Sequence, residues 1–197
     1  MYALVMQSTR RLLVVGSVLL LIACTTSSGP TGADTGKATP MDPLSRARIH
    51  TELAALYYQQ GSMRTALDEL ANATRIDPDY APAYSMLGLV YMQLGERDRA
   101  NTSFQKAVAL APGDPEIRNN YGLFLCDTQQ YPSGLTQLNM ALANPLYATP
   151  AKALVTAARC ARQMGDDALA NSYRQRALQY GVTTGEALQV PNRQTLQ

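Results

Sequence analysis

The sequence predicts an all-α fold, a right-handed superhelix of about four helix–turn–helix units. Two observations predict it: small and large apolar residues recur every 34 positions, and chain-breaking residues recur with them at fixed offsets. The clearest unit is Ala81 to Asp114, APAYSMLGLVYMQLGERDRANTSFQKAVALAPGD. Gly88, Ala100 and Ala107 have little or no side chain, so two antiparallel helices can approach closely there. Tyr84, Leu87, Tyr91 and Phe104 fill the space around those contacts. Gly95 can take positive φ and end the first helix, and Pro112 stops the second.

Eight of these positions, all but Gly95, match the tetratricopeptide repeat, so the unit resembles that family. Thirty-four residues earlier the same offsets hold Leu53, Ala54, Tyr57, Gly61, Ala66, Leu70, Ala73 and Pro78, with His50 replacing the first aromatic. Thirty-four residues later they hold Tyr121, Gly122, Leu125, Gly134, Leu138 and Ala141, with Pro145 one place early. A fourth, degenerate unit follows after two extra residues absorbed in 144–150. It keeps Ala158, Ala161, Gly165, Ala170 and Ala177. The expected helices are 47–60, 64–76, 81–94, 97–110, 115–128, 131–143, 151–164 and 167–180, making a repeat domain over 44–181. Stacked units of this kind bury one continuous core. The tail 182–197 offers a weak short helix at best and is expected to be mobile.

The chain begins differently. Arg10 and Arg11 precede the unbroken apolar run Leu12 to Ile22, which reads as a cleaved secretory signal over 1–23. Eleven residues are too short for a membrane span, which needs about 20. Leu21-Ile22-Ala23-Cys24 resembles a bacterial lipobox, in which the cysteine is acylated and becomes the first mature residue. Multiple acyl chains hold a protein on a membrane where one does so marginally. Thr25 stands where an Asp would resemble an inner-membrane retention signal, so the expected location is the periplasmic face of the outer membrane. After Cys24, the stretch 25–43 is rich in Thr, Ser, Gly and Pro and reads as a linker. Fully extended it would reach about 65 Å, and typically about 25 Å.

Charge narrows the function. The net charge is +2, and Arg10 and Arg11 supply both units, leaving 15 basic against 15 acidic residues after the signal. A neutral surface gives no support for nucleic-acid binding or a polybasic membrane patch. The single histidine, His50, permits no His-based triad or multi-histidine metal site. His50-Thr51-Glu52 has the H-x-E spacing of a zinc deaminase without its P-C-x-x-C partner, so a surface or helix-start role is expected. No phosphate-binding or nucleophile-elbow motif occurs, and the acidic residues fall mostly at helix starts and turns, where they favour the helix dipole. The reading is a non-enzyme with no cofactor, no metal and no small-molecule substrate.

Two cysteines remain in the repeats, Cys126 and Cys160. They fall on neighbouring first helices, and an oxidising compartment favours a bridge between them; two buried free thiols are the alternative. The first helix of each unit is expected to line the concave face through its positions 2, 5, 9, 12 and 13. Tyr58, Leu89, Met92 and Leu123 would then form an apolar strip across three units, edged by Gln59, Gln93 and Asn119. Such a groove suits an extended segment or amphipathic helix of a partner protein.

The lipobox, the linker and repeat units carrying Asn119-Asn120-Tyr121-Gly122-Leu123-Phe124-Leu125-Cys126 together resemble the type IV pilus biogenesis and stability lipoproteins, the pilotins of the PilF/PilW family. The N-N-Y-G-x-F-L-C stretch is the specific part, and the resemblance covers roughly 10–180. It implies a non-enzymatic outer-membrane lipoprotein that escorts the pilus secretin to the outer membrane and supports its multimerisation. It also implies a cysteine pair, matched by Cys126 and Cys160. The family commonly has about six units, whereas four are read here. The alternative expectation is a general periplasmic adaptor lipoprotein for envelope-complex or peptidoglycan proteins.

Overall fold

A computed structural model of the chain describes residues 41–182. The signal 1–23, Cys24, the linker as far as residue 40, and the tail beyond residue 182 lie outside the described residues. Eight α-helices and no strand occur among those described: α1 (Pro43–Gln59), α2 (Met63–Ile76), α3 (Ala81–Leu94), α4 (Arg97–Leu110), α5 (Pro115–Asp127), α6 (Tyr131–Leu142), α7 (Pro150–Met164) and α8 (Asp167–Leu178). The largest difference from expectation is at the front, where α1 starts four residues before Ala47. Asp42 is the reason: its side chain accepts a hydrogen bond from the Ser45 backbone N–H at 2.9 Å, and Pro43 presets φ for the first turn.

The helices pack as four hairpins, α1 with α2 through α7 with α8, and each hairpin's second helix packs on the next hairpin's first. First helices also touch across units, α1 with α3, α3 with α5 and α5 with α7, whereas no second helix touches the next second helix. Closer spacing on one side curves the stack, so the first helices form its concave wall. The fold is an all-α tetratricopeptide-repeat superhelix.

Close packing depends on missing side chains. A Cβ on Gly88 would stand 2.6 Å from the ring of Phe104, and one on Gly122 would stand 2.7 Å from Leu138 Cγ. Phe104 then stacks with Tyr121 at a ring separation of 5.8 Å and packs tilted against Phe124 at 5.4 Å, joining α4 to α5. At the N-terminal side Leu70, Met86 and Val90 form the core with Ala54, Ala66, Ala73 and Ala83. At the C-terminal side the core is dominated by alanines, including Ala153, Ala157, Ala161, Ala170 and Ala177, around Leu138, Leu154 and Tyr173. Small residues pack closely but bury little apolar area each, and they dominate in this C-terminal unit.

A disulfide joins it to the rest. Cys126 on α5 and Cys160 on α7 are bonded, with Cα atoms 5.4 Å apart and 34 residues between them in sequence. Three of the four first helices end at a glycine with positive φ: Gly61 at 77°, Gly95 at 78° and Gly165 at 92°. In the third unit the same place holds Gln129, with φ 64°.

Candidate protein-binding face

The face is built from α1, α3, α5 and α7. Counting each unit from Ala47, Ala81, Pro115 and Ala151, position 9 holds Ala55, Leu89, Leu123 and Arg159, all half-buried. Position 13 holds the exposed Gln59, Gln93 and Gln163 and the half-buried Asp127. Position 12 holds Tyr58 and Met92 in the first two units, both half-buried. A row of half-covered apolar groups beside a row of carboxamides follows from the helix period, since positions 9, 12 and 13 share one side.

Each strip residue has a definite packing. Tyr58 lies against the N-terminal core, and burial raises the pKa of its phenol, keeping it a neutral donor. Leu89 bridges the N-terminal core and the Phe104–Phe124 cluster, and Met92 packs on the latter. The face carries an open cleft of about 550 Å³ lined by Tyr58, Gln59, Gln60, Gly61, Met63 and Gln93. It brings together three residues named from the sequence, Tyr58, Gln59 and Gln93. Leu89, Met92 and Leu123 lie outside this cleft, along the same wall.

Asn119 is a correction. Instead of edging the groove it is 1% exposed, with its Nδ2 donating to Asn120 Oδ1 at 3.4 Å. The reason is general to position 5, because Thr51 and Ser85 are also buried. Position 5 faces the seam where neighbouring first helices touch. There the Asn120 side chain reaches back 35 residues to donate to Ser85 Oγ at 3.1 Å, and Thr51 Oγ1 donates to the Ala47 carbonyl at 2.9 Å. Cys126, which shares position 12 with Tyr58 and Met92, is buried in the disulfide.

The sequence reading missed Gln60, Gly61 and Met63, which line the cleft from the α1–α2 turn, and Arg159. Gly61 carried a signal, since its positive φ sets the turn that forms the cleft wall. Arg159 replaces the leucine of the two preceding units, and burial pushes its guanidinium pKa down while the Asp127 carboxylate opposes that shift. The wall therefore runs from an apolar, uncharged end to an ionic one.

Other polar groups serve structure. His50 pairs through Nδ1 with Glu69 Oε2 at 2.6 Å, tying α1 to α2. Lys152 meets Glu116 at 2.9 Å and Thr149 also donates to Glu116, joining the start of α7 to α5. Among the described residues no group of three His, Cys, Asp or Glu could hold a metal ion, and no helix is long and apolar enough to cross a membrane.

Comparison with known proteins places these features. The family described as TPR repeat matches residues 54–95, and the one described as Tetratricopeptide repeat matches 81–114. The type IV pilus assembly protein PilF of Pseudomonas aeruginosa is 28% identical over 169 residues, covering 85% of this chain and 63% of that protein. Among solved structures, PilW, described as a widely conserved type IV pilus biogenesis factor, superposes with a TM-score of 0.68 at 31% identity, covering 72% of this chain and 64% of that one. The P. aeruginosa PilF structure gives 0.67 at 26% identity, covering 71% and 63%. The chain thus spans a little under two thirds of the length of each of these relatives. It carries tetratricopeptide repeats, is homologous to PilF and is structurally similar to PilF and PilW.

Proposed function

We propose that this chain is a non-enzymatic docking protein of type IV pilus biogenesis, held by lipid at Cys24 on the periplasmic face of the outer membrane. Its concave wall receives a segment of the pilus secretin and assists the secretin's arrival in the outer membrane and its multimerisation. The observation that carries the reading is the wall itself: the first helices bear a cleft at Tyr58, Gln59 and Gln93 and, outside it, the half-covered Leu89, Met92 and Leu123. Half-covered apolar groups gain more from a partner than from water, and carboxamides beside them can pair with a partner's main chain. Homology to PilF, and the fold shared with PilW, support the biological setting.

The test is genetic. Deleting the gene should remove secretin multimers from the outer membrane and abolish surface pili, and the intact gene should restore both. A chain carrying Tyr58→Ala with Met92→Ala should fold and localise normally yet restore neither. Normal secretin multimers in the deletion strain would overturn the proposal. Replacing Cys24 with Ser should release the protein from membranes; retention there would overturn the lipid anchor.

A further inference from the structure

The three seams between units are built alike. Positions 3, 7 and 10 of a first helix meet the second helix of the unit before: Ala83, Leu87 and Val90 on α3, Ile117, Tyr121 and Phe124 on α5, Ala153, Ala157 and Cys160 on α7. Positions 3 and 10 are at most 2% exposed in all three units. In the first unit these positions are Ile49, Leu53 and Leu56, which are 38%, 37% and 53% exposed. Their spacing of four and three places them in one stripe along α1.

The other end of the stack is finished differently. Where α6 buries Leu135 and Leu138 in the C-terminal core, α8 has Asn171 and Arg174, 36 residues on, in place of that apolar pair. A repeat array needs polar outer faces at both ends, and α1 does not supply one. Residues 29–42, one repeat before α2, read GPTGADTGKATPMD and include Gly29, Pro30, Gly32, Gly36 and Pro40, a composition that opposes helix. Charge completes the description. Arg48 pairs with Glu52 on its own helix at 3.9 Å, whereas Arg46, one turn before Ile49, makes no ion pair among the described residues.

We infer that α1 is a second interaction surface, which docks one amphipathic α-helix of another protein. That helix extends the stack as a second helix ahead of the first unit, lays apolar residues at i, i+3 or i+4, and i+7 on Ile49, Leu53 and Leu56, and sets a carboxylate against Arg46. The inner seams show that this stripe is shaped for a helix, and Arg46 sets the sign of the visitor's charge. The surface lies apart from the concave wall and does not depend on the secretin reading.

Photocrosslinking in living cells tests this. p-Benzoylphenylalanine is placed at Leu56 of the full chain in its native host, with Gln105 on α4 as the control position, and adducts are mapped by mass spectrometry. The expected result is an adduct to another protein whose crosslinked segment carries the stated apolar spacing and an Asp or Glu. That adduct should fall about tenfold or more with Leu53→Glu. Arg46→Glu, at an exposed site, should lower it too and serves if the first variant misfolds. A homodimer, an adduct to residues 1–40 of the same chain, a lipid adduct, a segment lacking the pattern, or no adduct above the Gln105 control would each overturn the inference. Tyr58→Ala with Met92→Ala should leave the adduct intact, and its loss would assign the contact to the concave wall and overturn a separate site.

Discussion

Gly134 of α6 lies so close to Cys126 of α5 that a Cβ on it would overlap the Cys126 Sγ. The equivalent residue is alanine in the other three units, as Ala66, Ala100 and Ala170. Only in the third unit does a bonded sulfur occupy that space, and the disulfide prevents it from moving aside. Gly134→Ala should therefore destabilise the oxidised protein by about 1–3 kcal/mol, as overpacking does. With both cysteines replaced by alanine, the same change should cost less: the sulfur is gone and alanine favours helix over glycine by about 1 kcal/mol, although the Gly122 carbonyl oxygen would still stand 3.0 Å from the new Cβ. Urea denaturation of the four variants checks the coupling.

Removing the disulfide should weaken the C-terminal unit first. For a loop of 34 residues the entropic contribution is about 3–4 kcal/mol. Cys160→Ser together with Cys126→Ser should lower the thermal midpoint in calorimetry. It should also speed amide exchange in α7 and α8 more than in α1 to α4. Uniform exchange across the chain would contradict a local staple.

Gln129 holds φ 64° on an exposed turn where the other units use glycine. A side chain there costs about 1 kcal/mol or more in left-handed backbone, against a smaller entropic cost of adding a glycine. Gln129→Gly should raise the thermal midpoint by about 3 °C. Gly95→Gln, the converse change, should lower it.

Tyr147, in the α6–α7 connection, is buried with its hydroxyl beside Thr149 and without a well-formed hydrogen bond. Burial pushes its phenol up to about 12 from an ordinary value of 10.0. Between these two values the unfolded chain has released this proton while the folded chain holds it, so rising pH favours unfolding there. Below pH 10 the group has no effect. Tyr147→Phe should move the alkaline unfolding midpoint upward, as followed by circular dichroism.

Much of the fold was legible because tetratricopeptide packing is written in residue size. Gly88, Gly122 and Ala100 announce helix contacts, and Gly61, Gly95 and Gly165 mark the ends of first helices. The front of α1 was missed because Asp42 and Pro43 end a polar tract, and a cap there is indistinguishable from the end of a linker until Ser45 N–H is seen on the carboxylate. On the concave wall, Tyr58, Gln59 and Gln93 were placed together by spacing alone. Asn119 was misplaced because position 5 was counted among those lining the groove, whereas it is buried. Its surroundings are set by the approach of α3, α5 and α7 to one another, a long-range property that no local period records. Arg159 went unnoticed because the degenerate fourth unit hides its equivalence to Leu89 and Leu123.

The sulfur bridge connects two neighbours on the inner wall, α5 and α7, while α1, α3 and α5 are linked along that wall by side-chain contact alone. Pulling on the coil would thus open the early joints and leave the last one closed. A guest stretched along the wall would find one end that yields to its length and one that does not, so it would be measured from the locked joint outward.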